Sequence, residues 1–131
     1  MNRIAALLYT FVTAGIIVFQ IALAAGAPWG AYAMGGAYPG QFPPAMRIAA
    51  LVQGVLLGSM AAIVLVRAGL ILPRWTRAAR WLVWCVVGLT AVSFVLNLIT
   101  PSAGERALWA PVAAVLLLSS ATVAFNKSVG A

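Results

Sequence analysis

GAPWGAYAMGGAYPGQFPPAM, residues 26–46, is the one long interval of the chain that a lipid bilayer would refuse as a spanning helix. Pro28, Pro39, Pro43 and Pro44 remove backbone donors, and Gly26, Gly30, Gly35, Gly36 and Gly40 add turns, so no continuous helix can run through it. Trp29, Tyr32, Tyr38 and Phe42 are interleaved along it, and such side chains favour the headgroup layer. The stretch therefore predicts a long loop folded onto the membrane surface or over helix ends. It serves either as a plain interfacial cap or as the lid of a pocket; loops beyond about 12 to 15 residues are usually functional or disordered.

On either side of this loop the chain is apolar. Hydrophobic residues make up 65% of the 131 residues and charged ones 7%, too little polar surface to cover a water-soluble globule. The run 4–25 follows Arg3 and ends in small residues, as a secretory signal does, but it is expected to stay as an anchor. Signal cores run roughly 7 to 15 residues, whereas this run reaches about 33 Å as a helix and spans a bilayer core. A second run covers 48–72, with Arg67 placed to snorkel and Pro73 as its stop. Within it Gly54, Gly58 and Ala62 form a small-residue face that lets another helix approach closely, inside the chain or between chains. The third run, 81–99, carries Thr90, Ser93 and Asn97 on one helical face, expected to point at protein. The fourth, 107–125, contains Pro111, either a first-turn proline or a kink. Before it, Ser102 and Glu105 have the S-x-x-E spacing of a capping box.

The expected fold is all-α: an integral membrane protein of four antiparallel transmembrane helices, an up-and-down bundle forming a single domain over 1–131 with 26–46 as its one long outer loop. The net charge of +7 follows the ends of the apolar runs and forms no nucleic-acid patch. Arg74, Arg77 and Arg80 crowd the short second connection; with Arg3, Arg67 and Lys127 they outnumber Arg47 and Arg106 on the other side. Positive residues collect on the cytoplasmic side, so both termini are expected in the cytoplasm, and the protein in the cell inner membrane as a multi-pass chain.

Absent residue types narrow the chemistry. No histidine is present to ligate haem or metal, and Glu105 is the only carboxylate side chain, so no paired-carboxylate catalysis can be assembled from one chain. Cys85 stands alone in an apolar run, where it reads as a small packing residue. Neither a metal nor a cofactor is expected, and no catalytic residue.

What remains is a candidate binding site. Counting along the helices places Gln20, Gln53 and Asn97 at similar depth, roughly 3 to 10 Å inside the outer helix ends at about 1.5 Å per residue. Beneath the loop with Trp29, and near Arg47, Glu105 and Arg106, they would line an outward-facing polar pocket, provided that Gln20 and Gln53 point inward. The alternative is that each amide bonds a neighbouring helix. Glu105 has two readings as well, the capping box or an ion pair with Arg47.

The pattern Gly26-Ala27-Pro28-Trp29-Gly30, then Gly35-Gly36, Pro43-Pro44 and Arg47, and later Ser102-x-x-Glu105-Arg106, resembles that of small bacterial membrane proteins with four helices. The resemblance implies four transmembrane helices and supplies no activity or substrate. The chain lacks the first-helix glutamate of the small multidrug exporters and the glycine, arginine and pore motifs of the four-helix fluoride channels. A non-catalytic role is therefore expected: an accessory or assembly subunit, or a binding module for a lipid or other apolar small molecule. Its partners would be the bilayer, a membrane protein or further copies of itself, and no nucleic acid. The competing class is a small channel or uncoupled transporter, whose oligomers would line a path with Thr90, Ser93, Asn97, Gln53 and Gln20.

Overall fold

The computed structural model describes residues 2–33 and 36–126; Gly35 and Lys127, invoked above, lie outside them. Four helices make up the described chain: α1 (Asn2–Ala25), α2 (Pro44–Arg67), α3 (Thr76–Ile99) and α4 (Ala103–Phe125). Each is long and apolar enough to cross a membrane; 24 residues reach about 36 Å. The α1–α2 and α3–α4 hairpins are tightly packed, and α1 lies against α4 and α2 against α3, the ring of an up-and-down bundle. The long loop and the α3–α4 turn share one end, the loop end. Asn2 and Asn126 share the other with the α2–α3 connection.

Several helix limits differ from those expected. α1 and α2 both stop at a glycine in the left-handed region, Gly26 at φ +104° and Gly69 at φ +79°. The bonds match at both ends. Ala27 N donates to Ala22 O and Gly26 N to Leu23 O; Leu70 N donates to Leu65 O and Gly69 N to Val66 O. This is the Schellman closure, which satisfies the last carbonyls of a helix. α2 therefore ends at Arg67 and not at residue 72, although Leu70, Ile71 and Leu72 prolong the apolar run. Its start moves too: Pro44 occupies the first turn, where a missing N–H costs nothing, so α2 begins four residues before Ile48. α3 begins at Thr76, directly after a 3-10 turn over Pro73–Trp75, so Arg77 and Arg80 lie on the helix itself. α4 begins at Ala103, which sets Pro111 inside the helix and leaves the Ala107 carbonyl without its usual donor.

The bundle interior divides by depth. In the half nearer the termini Tyr9, Val64, Val83, Val86 and Val123 are fully buried and fill the centre. Thr90 Oγ1 lies 3.3 Å from Ser120 Oγ among them, so the polar face of α3 does meet protein. Arg67 does not snorkel outward; it is buried, and its Nη2 donates to the Asn126 carbonyl, tying the end of α2 to the end of α4. Arg74, Arg77 and Arg80 are exposed on the α2–α3 connection and the first turn of α3. The small-residue face of α2 is used within the chain. A Cβ added at Gly54 would lie 4.0 Å from Gln20 Cβ, and one at Gly58 would lie 3.9 Å from Ile17 Cδ1, both on α1. Ala62 continues that face half-buried.

Candidate functional site

The half of the bundle nearer the loop end is not filled. It holds a cavity of about 640 Å³ with walls from all four helices and a roof from the loop. The roof forms because the loop closes on itself and is then fastened to α4. Gly30 N donates to Gly40 O at 2.9 Å, and a Cβ at Gly30 would overlap the Tyr38 carbonyl oxygen, so only glycine allows the two strands of the loop to cross. Three contacts fasten it. Ser102 Oγ donates to Ala31 O at 2.8 Å, Trp109 Nε1 donates to Tyr32 O at 2.7 Å, and the Tyr32 ring lies over Gly104, where a Cβ would meet Cε1 at 2.7 Å. Phe42, 2% exposed, plugs the loop into a cluster with Leu23 and Ala50. Tyr32, Ala33 and Phe42 thereby become cavity lining.

Of the residues singled out from the sequence, Gln20, Gln53, Asn97 and Glu105 all line this one cavity. Gln20 is buried and faces inward as the pocket required. Gln53 does not meet that requirement: it is exposed, and it borders the cavity only at its mouth. The earlier start of α2 also sinks Gln53 about 13 Å from the helix end at 1.5 Å per residue, deeper than the common level expected. Asn97 bonds its own helix and not a neighbour, its Nδ2 donating to Ser93 O at 2.7 Å and lying 3.3 Å from Ser93 Oγ.

Trp29, Arg47 and Arg106 are absent from the lining. Trp29 stacks on Phe19, with centroids 6.0 Å apart, and Phe19 meets the edge of Trp109 at 4.8 Å, so Trp29 reaches the cavity only through another ring. Arg47 Nε donates to the Phe42 carbonyl at 2.8 Å, and its guanidinium lies beside Gly26. The Arg47–Glu105 ion pair does not form: Oε2 of Glu105 is buried with no hydrogen-bond partner. Arg106 donates to the Thr100 carbonyl and borders a separate shallow groove between α3 and α4. The capping box is half made. Glu105 N donates to Ser102 Oγ at 3.1 Å, while Ser102 N turns to Thr100 Oγ1 at 3.4 Å and not to the Glu105 carboxylate.

The cavity opens sideways. Its lining residues on α1 and α4 are buried or half-buried, whereas Gln53 on α2 and Leu89, Val92, Leu96 and Ile99 on α3 are exposed. The exposed helical lining thus lies on the α2 and α3 sides, the flank that a bilayer would cover, while Tyr32 and Pro101 are exposed at the loop end. At the other extreme Leu116 forms the cavity floor and belongs to the packed core beneath. Tyr32, Thr100 and Trp109 were not anticipated as site residues. A helical repeat could have found Trp109, since Glu105, Trp109, Val112 and Leu116 recur at three- and four-residue steps on one face of α4.

No protein-family model, curated protein or solved structure matches the chain.

Proposed function

We propose that the protein is a non-catalytic binding module of the membrane that takes a lipid or another long apolar small molecule into the cavity under its loop. The observation that carries this reading is the exposed cavity lining on α2 and α3, from which a lateral opening between these helices would lead from the position of the lipid chains to Gln20, Asn97, Thr100 and Glu105. At about 640 Å³ the cavity is within the range of roughly 300 to 1,000 Å³ usual for small-molecule sites. The filled core below Leu116 favours binding over conduction, because a channel needs a polar track through the half occupied by Tyr9, Val64, Val86 and Val123. Arg74, Arg77 and Arg80 on the α2–α3 connection support a loop facing outward and both termini facing the cytoplasm of a cell inner membrane.

Filling the cavity tests the reading. Leu57→Trp and Ser93→Phe, made together, place bulk on two walls. Native mass spectrometry after gentle extraction is expected to find a retained apolar molecule on the wild type and none on the filled variant. Equal retention by both would overturn the assignment.

A further inference from the structure

We infer that the cavity selects an amphiphile whose head is a primary ammonium, with Glu105 as its counter-charge; this names the ligand class for the binding reading above and rests on it. The lining is graded along the bundle. Gln20, Asn97, Thr100 and Glu105 gather at the loop end, Ser93 and Gln53 lie at intermediate depth, and Leu57, Leu89 and Leu116 form the walls toward the middle. A bound amphiphile therefore puts its head under the loop and its chain toward the bilayer centre, leaving between α2 and α3.

The chemistry of that head follows from what the chain leaves unpaired. Glu105 is the only charged side chain on the lining among the described residues, and its Oε2 is buried without a hydrogen-bond partner. An unpaired buried carboxylate oxygen is among the costlier polar defects, so a donor that reaches this carboxylate is strongly favoured. Asn97 has committed its Nδ2 to Ser93, which leaves Oδ1 as an acceptor. The Thr100 carbonyl already accepts from Arg106. The loop end thus offers one negative charge and the Asn97 acceptor, beside the Gln20 amide and the Thr100 hydroxyl, which can each donate or accept. The guanidinium groups that would welcome an anion are turned elsewhere, Arg47 onto the Phe42 carbonyl and Arg106 toward the outer groove. An ammonium brings three donors and a positive charge, a hydroxyl one donor, and a carboxylate neither. Both a free long-chain amine and a bilayer lipid with an aminoethyl head present this group.

Saturation binding of tritiated dodecylamine, dodecanol and dodecanoate to the full chain in maltoside micelles tests the assignment. The wild type is expected to bind the amine at least about tenfold more tightly than the alcohol, and the carboxylate least, as a charge-assisted hydrogen bond predicts. E105Q, which keeps the backbone bond to Ser102, should bring amine and alcohol to within about twofold, and E105D should restore a preference for the amine. Displacement of dodecylamine by dioleoylphosphatidylethanolamine but not by dioleoylphosphatidylglycerol would assign the ammonium to a bilayer lipid; no displacement by either would assign it to a free amine. An alcohol bound as tightly as the amine, or an amine preference unchanged in E105Q, overturns the head assignment and leaves the cavity reading standing. Failure of all three probes to bind saturably overturns both.

Discussion

At Gly30 and Gly54 the same added methyl group has opposite consequences. Gly30 faces a backbone carbonyl that cannot move without opening the loop, whereas Gly54 has room for ordinary van der Waals contact with Gln20. Gly30→Ala is expected to destabilise the protein by about 1 to 3 kcal/mol, as overpacking does. Gly54→Ala should lie within about 0.5 kcal/mol of the wild type or gain up to about 1 kcal/mol from helix propensity. Equilibrium unfolding of both variants in mixed micelles would check the contrast, and equal effects would refute the crossing of the loop at Gly30. Ser102 joins two elements, since its hydroxyl accepts from Glu105 N and donates to Ala31 O. Ser102→Ala should cost about 0.5 to 2 kcal/mol in the same assay, the usual range for a lost N-cap. The Ser102 cap was legible in the sequence through its spacing to Glu105. Its second bond was not, because Ala31 is 71 residues away and only the folded loop brings it near.

Among the elements, the loop behaves as a lid because α4 holds it. Trp109 and Ser102 supply the two side-chain hydrogen bonds to 30–33, and removing both leaves the Tyr32 ring on Gly104 as the remaining fastening described above. Hydrogen exchange of the Ser102→Ala, Trp109→Phe double variant should speed up within 26–42 while the centres of α1 to α4 stay protected. Uniform exchange changes across all four helices would show that the loop is part of the global fold and no separate lid. Helix existence could be read directly from the apolar runs, but helix ends could not. Hydropathy marks where lipid is tolerated, and Leu70 to Leu72 satisfy that after Gly69 has already turned the chain. Conversely, Thr76 to Arg80 fail it while the helix persists. Glycine in the C′ position was the better signal for the end of α2, as it was for α1 at Gly26.

For the whole molecule, the bundle and its charge asymmetry predict a fixed orientation. In a Cys85→Ser background, Ala37→Cys on the loop should react with an impermeant maleimide on intact cells, and Trp75→Cys on the α2–α3 connection only after permeabilisation; the reverse pattern would invert the proposed topology. Depth counting in the sequence was enough to bring Gln20, Gln53 and Asn97 to one cavity. It misjudged Gln53 by one helical turn, because the start of α2 was set by Pro44 and not by hydropathy. Side-chain direction was beyond it: Arg47 and Arg106 lie close in sequence to the site but bond the Phe42 and Thr100 carbonyls instead. The central claim is that a bilayer chain enters between α2 and α3 and reaches Trp109, which is half-buried on the far wall. The most direct measurement is quenching by phosphatidylcholine brominated on its acyl chains, in vesicles holding variants that retain Trp109 alone or Trp81 alone. Trp81, 72% exposed on the surface of α3, reports the ordinary bilayer. Trp109 is predicted to be quenched about as strongly as Trp81. Strong quenching of Trp81 beside an unquenched Trp109 would contradict it.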